Sequence, residues 1–203
     1  VLKSVMKKQI NLIVGWMRVG FVHGVMNTDN MAVSGETIDY GPCAFMDFYK
    51  PDTCFSSIDE MGRYAFCNQP LIANWNLSRF AETLIPAIHE NQKTAIKKAE
   101  EVVSGFSKAY KNAWLEMMRS KLGLLGKEAE DEKIINSFLL WMQKIRADYT
   151  NSFYFLTNNN VLNTNLSQDN SFINWHKQWR SRLNKNKKSL KDSFSLMKKN
   201  NPA

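Results

Sequence analysis

His23, Asp29, Asn30 and Asp39 fall within one stretch, HGVMNTDNMAVSGETIDYGP (23–42), that has few apolar residues to bury them. Asp39 offers a carboxylate and Asn30 a carboxamide oxygen. Such a hard-oxygen pair suits Mg²⁺ or Mn²⁺ rather than zinc. Mg²⁺ commonly keeps one or two protein ligands and fills its octahedron with phosphate oxygens and water. Two ligands therefore suffice where the third partner is a nucleoside triphosphate. In an extended segment neighbouring side chains point to opposite sides. Asn30 then faces the metal while Asp29 faces an incoming hydroxyl, as its base or its orienting acceptor. The competing reading is plain turn chemistry, since Asn and Asp favour turns anyway. Spacing alone does not choose between the two. His23 is expected to be structural, a buried ring that fixes the loop by hydrogen bonds.

The elements that must position these groups can be read from periodicity. Leu2, Val5, Met6, Ile10, Ile13, Trp16 and Met17 recur at helical spacing, with Lys3, Lys7 and Lys8 opposite, which predicts an amphipathic helix running into Gly20. Met31–Val33 and Thr37–Ile38 read as two short strands turning at Ser34-Gly35-Glu36, so that the hairpin brings Asn30 to Asp39. Residues 41–70 carry Gly41, Pro42, Pro51, Gly62 and Pro70 without a clear period and read as a long ordered loop. From Leu71 the chain is helical: one helix stopping near Pro86, one long or kinked helix over 87–122, then helices over 128–146, 148–156, 171–183 and 189–199. The run 157–170 reads as a polar loop. The fold class is mainly α with one small β-hairpin at the metal site.

Composition narrows the rest. The 203 residues suffice for a sizeable core, and 44% apolar with 12% aromatic content indicates a globular chain. No apolar run reaches bilayer length. The net charge of +8 favours acidic partners such as nucleotides. Cys43, Cys54 and Cys67 show no CxxC spacing and fit free thiols in a reducing compartment, with Cys43 and Cys67 expected to pack as small buried hydrophobes. The three histidines lie far apart and none pairs with a cysteine at zinc-ligand spacing. The chain begins at Val1 inside a helical pattern, which suggests an internal piece of a longer protein.

A helix, a His-containing loop with Asp and Asn, a hairpin and then Asp-aromatic-Gly is also the order in which protein kinases hold their metals. Here Asp39-Tyr40-Gly41 stands in the last place. The spacing departs from kinases: His23 and Asp29 are six apart and Asp29 and Asn30 adjacent. That disfavours an ordinary protein kinase.

HGVMNTDNM, SGETIDYGPCAFMD, SSIDEMGRYAFCNQP and IANWNLSRFAETL resemble the signature blocks of the selenoprotein O family, and the closing LMKKNNPA is similar to the start of a further block. The resemblance implies a protein-kinase-like C-lobe over 1–122 with a helical extension over 123–203, the nucleotide lobe lying outside this chain. It implies a protein adenylyltransferase that binds ATP in a flipped orientation and moves AMP to Ser, Thr or Tyr hydroxyls of proteins. By matching position, Asp29 is the proton acceptor, Asn30 and Asp39 hold Mg²⁺ (or Mn²⁺), and Asp39 also lies near the ATP phosphates. The piece alone is then expected to be inactive, with a cytoplasmic location in a bacterium and a mitochondrial one in a eukaryote. Cys54, in the loop after the hairpin, is the candidate for a redox partner.

Two rivals remain open at this point: phosphotransfer from the γ-phosphate, and a non-enzymatic basic helical binding module. Trp175, Trp179, Arg180 and Arg182 with neighbouring lysines carry the second, through phosphate contacts and base stacking. A charge run is more often a solvated helix face, so nucleic acid is not the expected partner, nor is a membrane.

Overall fold

The computed structural model describes residues 1–158, 169–185 and 190–201. It is mainly helical, with one two-stranded sheet, and it divides into two compact units.

Unit 1 comprises Val1–Met17, Phe21–Phe45 and Pro51–Trp114. Helix α1 (Leu2–Val19) buries Leu2, Val5, Ile13, Trp16 and Met17, as its stripe predicts, but the stripe also contains Gln9. Strand β1 (Phe21–Val22) pairs antiparallel with β2 (Ala44–Phe45), Phe21 facing Phe45 and Val22 facing Ala44. The predicted hairpin is corrected here. Met31–Val33 and Thr37–Ile38 reduce to a single antiparallel bridge, Met31 to Thr37. The sheet lies further out, at the two ends of the polar loop, where strands of two residues leave no alternation to read.

Helix α2 (Gln69–Thr83) follows directly on a 3₁₀ turn at Phe66–Asn68, with Pro70 in its first turn where a missing N–H costs nothing. A four-residue helix α3 (Ile85–Ile88) follows. The long helix expected over 87–122 is two: α4 (Gln92–Val103), capped by the Asn91 side chain accepting from the Thr94 amide at 3.0 Å, and α5 (Phe106–Lys121). Ser104-Gly105 separates them. Residues of α5 through Trp114 belong to unit 1.

Unit 2 comprises Arg18–Gly20, Met46–Lys50 and Leu115–Ala203. It contains α6 (Asp131–Ile145), α7 (Tyr149–Thr157), α8 (Asn170–Asn184) and α9 (Leu190–Asn200). Asp148 caps α7 and Asp169 caps α8, each accepting a backbone amide at 2.7 Å. Most of the polar run 157–170 lies outside the described residues. The core is aromatic: Phe138 stacks on Trp175 at 4.2 Å between centroids and meets Phe153 edge-on at 5.4 Å. Gly123, at φ +66°, is crowded by α9; a Cβ there would stand 2.9 Å from the Ser193 carbonyl oxygen.

Lys121 is buried in this unit, 3% exposed. Its ammonium donates to the Arg18 carbonyl at 2.7 Å, satisfying an end-of-helix acceptor of α1, and stands 3.9 Å from the Phe153 ring centroid. Burial, with the Arg18 charge nearby, lowers its pKa to about 7. Unfolded, a lysine keeps its proton to about 10.4. Between those values the unfolded chain binds more protons, so stability rises with pH from about 7 upward. Lys121→Met removes that rise. Chemical denaturation should show the variant gaining on the wild type most at pH 6. The gap should narrow by about 2 kcal/mol by pH 9, at roughly 1.4 kcal/mol per pH unit above 7. A gap independent of pH would show that Lys121 titrates normally.

Candidate active site

The polar loop is held from both sides by uncharged side chains of unit 1. From α1, Gln9 Nε2 donates to the Ala32 carbonyl at 2.6 Å and Trp16 Nε1 to Thr37 Oγ1 at 2.9 Å. Gly35, at φ +78°, turns the loop tightly against α1; a Cβ there would fall 2.7 Å from Lys8 Cβ. From α2, Asn76 Nδ2 donates to the Met26 carbonyl at 2.9 Å. Gln69, fully buried, accepts the His23 amide through Oε1 and donates through Nε2 to the Phe21 carbonyl, both at 3.0 Å.

His23 is fully buried, as expected, with its ring 5.2 Å from that of Trp16. Nε2 lies 2.8 Å from the Ile38 carbonyl. A carbonyl only accepts, so Nε2 carries the proton. Nδ1 is left to accept the Val25 amide, at 3.4 Å. The Val25 carbonyl in turn accepts Asn30 Nδ2 at 3.0 Å. One relay thus runs from Ile38, next to Asp39, through the imidazole and Val25 to Asn30. It fixes the orientation of the Asn30 carboxamide: the nitrogen is committed to the Val25 carbonyl, and Oδ1 is left.

Asp29 sits in a 3₁₀ turn, Thr28–Asn30, not in an extended segment. The opposed placement of Asp29 and Asn30 is therefore corrected. At three residues per turn neighbouring side chains diverge by roughly 120° rather than 180°. Asp29 and Asp39 are both exposed, and Asn30 is half-buried. Asp39 has φ +55°, a left-handed conformation that Asp and Asn tolerate better than other L-residues. Among the described residues there is no cluster of three or more His, Cys, Asp or Glu that could hold a metal ion. A divalent ion at this loop would rest on an oxygen pair such as Asn30 and Asp39.

The ordered segment after the loop is organised by Asp59, which accepts the Arg63 and Tyr64 amides at 2.8 Å and the Cys54 thiol at 3.3 Å. Burial opposes ionisation of Asp59, but the Tyr64 and Arg63 amides outweigh it and hold its carboxyl below the usual range. Burial pushes the Cys54 thiol up, and Asp59 adds to this. Such a thiol is protonated and a poor nucleophile. The Tyr64 hydroxyl donates to Asn27 Oδ1, tying this segment to the residue that precedes the 3₁₀ turn. Cys67 is exposed and Cys43 half-buried, which corrects the expectation that both are buried; all three cysteines are free.

The basic C-terminal stretch is not a stacking platform. Trp179 is 0%, Arg182 1% and Trp175 5% exposed. The indole nitrogens are committed to the Leu122 and Ile134 carbonyls. Both tryptophans and Arg182 are core, while Arg180 is half-buried.

The family model described as "Protein adenylyltransferase SelO" matches residues 1–203. The chain belongs to the SelO family. It is 56% identical over 202 residues to the protein nucleotidyltransferase YdiU of Brevibacillus brevis and, again at 56%, to that of Clostridium botulinum. To the YdiU of Nitrosococcus oceani it is 54% identical over 201 residues. All of this chain (99% for the last) but only 41% of each relative is covered, so the chain spans about two fifths of their length. The SelO resemblance read from the four quoted blocks and the closing LMKKNNPA thus extends over the whole chain. Among the described residues no helix is long and apolar enough to cross a membrane.

Proposed function

We propose that the full-length protein is a Mg²⁺-dependent protein adenylyltransferase, moving AMP from ATP to Ser, Thr or Tyr hydroxyls of acceptor proteins. This chain supplies the acceptor-side and metal-side residues, in a lobe of protein-kinase type. The observation that carries the reading is the relay through His23, which ties the backbone beside Asp39 to the carboxamide of Asn30. A turn with surplus polar groups has no need of a buried imidazole joining its two arms. The names of the family and of the relatives support a nucleotidyltransferase acting on protein.

The donor set fits the ion. Asn30 Oδ1 is left by the commitment of its nitrogen, and the Asp39 carboxylate is exposed. Both are hard oxygens, the ligand class that Mg²⁺ would take. Bound there, Mg²⁺ supplies charge neutralisation for the triphosphate. The chain's residues do the rest. Asp29 accepts the proton of the acceptor hydroxyl. The hydroxyl oxygen bonds to the α-phosphorus, the bond from that phosphorus to the bridging oxygen of the β-phosphate breaks, and pyrophosphate leaves. Catalysis is positioning and electrostatics, as in other phosphoryl transfers.

Incubating the full-length protein with acceptor proteins and either α- or γ-labelled ATP tests this. Label is expected on protein from the α-position alone. Label from the γ-position would establish a kinase instead. Neither label, with salt-sensitive oligonucleotide binding, would establish the binding module.

A further inference from the structure

Unit 2 carries the charge of this chain. It holds 17 of the 27 Lys and Arg residues but only 9 of the 19 Asp and Glu, so the whole excess of +8 lies there and unit 1 is neutral. Within unit 2 a groove of about 410 Å³ runs between α6 and α8. The two helices lie antiparallel. Glu130, just before α6, pairs with Lys185, just after α8, while the Trp175 indole donates to the Ile134 carbonyl at 2.9 Å. Ile134 and Arg182, 5% and 1% exposed, form the floor. Arg182 is neutralised there by Asp131, at 2.7 Å. The walls are exposed: Lys133 from α6, and Lys177, Gln178 and Ser181 from α8.

The Glu130–Lys185 pair occupies one end of the groove. Along the rest, Lys133 and Lys177 stand on opposite walls, and no ion pair of either is seen among the described residues. Two like charges lining one groove repel each other and gain from a shared counter-charge. Gln178 and Ser181 add an amide and a hydroxyl, both of which can donate to a carboxylate. From Lys177 to Lys185 α8 rises about 12 Å, the length of about four extended residues. A short peptide segment with several carboxylates fits this track. A nucleic-acid strand does not, because its affinity accumulates over many phosphate contacts and the α8 indoles that could stack on bases are buried. A second copy of this chain has no acidic unit to present, unit 1 being neutral and unit 2 basic.

We propose that the α6–α8 groove is a docking site for an acidic segment of the acceptor protein, its carboxylates meeting Lys133 and Lys177 and the donors of Gln178 and Ser181. The proposal rests on the transferase reading above and adds the class of acceptor that the full-length protein favours, one with an acidic stretch besides the modified hydroxyl.

Two measurements on the full-length protein test this. In the first, fluorescence anisotropy follows a labelled hexaglutamate peptide, with hexaglutamine and an oligothymidylate as controls. Hexaglutamate should bind, more weakly as salt rises. Lys133→Glu with Lys177→Glu should weaken it roughly tenfold or more, since attraction becomes repulsion. Lys133→Gln with Lys177→Gln, which removes the charges without reversing them, should fall between. In the second, AMP transfer from α-labelled ATP is read on serine peptides joined to hexaglutamate or hexaglutamine by Gly-Ser linkers of graded length. At a linker that spans the two sites the hexaglutamate tail should lower KM roughly tenfold. The charge reversal should erase the difference between the tails. Four results would overturn the docking site and leave the transferase intact. They are hexaglutamate that fails to bind or binds regardless of the charge reversal, transfer indifferent to the tail at every linker length, oligothymidylate binding lost with the same lysines, and a fall in thermal stability in both double variants. The last would mean that another part of the full-length protein fills the groove. Absence of α-label on every acceptor would remove the transferase reading, and the acceptor's place in the groove with it.

Discussion

Asp39→Ala in the full-length protein is expected to reduce AMP transfer by at least about 10³-fold, the scale of several kcal/mol of lost charge stabilisation at a triphosphate. The residue is exposed, and no hydrogen bond or ion pair of its carboxylate is seen among the described residues, so the loss is not one of packing. One confounding effect is conformational. At φ +55° alanine is strained by roughly 1 kcal/mol or more, and the loop could shift. Asp39→Asn separates the causes, because asparagine accepts the left-handed conformation and keeps the shape while removing the charge. Asp39→Gly relieves the backbone and removes the ligand. All three should be comparably inactive, with unchanged thermal stability for Asn. Near-wild-type transfer by Asp39→Asn, measured across a Mg²⁺ titration, would take Asp39 out of the metal site.

The difference between what was legible in the sequence and what was not has a physical cause. Long amphipathic segments declare themselves: the stripe of α1 lies where periodicity places it, and helices stand over most of 148–156 and 171–183. The residue types of the loop were legible as well, and so was the burial of His23. The scaffold behind the loop was not. Gln9, Gln69 and Asn76 occupy apolar-stripe positions of α1 and α2, and a polar residue in a stripe reads as noise until its backbone partner is known. That was the available signal: three carboxamides on buried faces, each next to a loop with unpaired backbone groups. The sheet of two-residue strands has no readable period, and its pairing of Phe21 with Phe45 is a tertiary fact.

In the C-terminal stretch the helices were legible, but the buried face of α8 was not. Lysines and arginines dominate its composition and hide a stripe at Phe172, Trp175, Trp179 and Leu183, with Arg182 on the same face. Charge was read where spacing should have been. Arg182 belongs to the core because a carboxylate waits for it there, which no local pattern in α8 announces.

That carboxylate is Asp131, fully buried at the start of α6. Asp131→Ala is expected to be the most destabilising single change in unit 2. Oδ1 accepts from Arg182 Nε and Oδ2 from Arg119 Nε, each at 2.7 Å, and the Glu128 amide donates to Oδ2 at 3.0 Å. Arg182 is 1% exposed, and beyond Asp131 it donates to the Leu125 carbonyl at 3.2 Å. Truncating Asp131 leaves that guanidinium charged and buried without a counter-ion, at a cost of about 3–5 kcal/mol. Replacing Asp131 and Arg182 together by apolar residues of similar size, as in Asp131→Leu with Arg182→Met, should recover part of the loss, since the fully buried guanidinium is then gone and only Arg119, 14% exposed, loses its partner. Burial opposes ionisation of Asp131, yet Arg182, the Glu128 amide and Arg119 hold its carboxyl below the usual range. Its contribution is therefore present above the ordinary carboxylate pKa and is lost as the pH falls through its lowered value. Denaturant titrations of the full-length protein at pH 7 and pH 3 check both points. The single variant should fall well below wild type at pH 7, with the gap narrowing in acid, and the double variant should stand clearly above the single one. A single variant within about 1 kcal/mol of wild type at pH 7 would mean that the Arg119–Asp131–Arg182 lock does not hold α6 to α8.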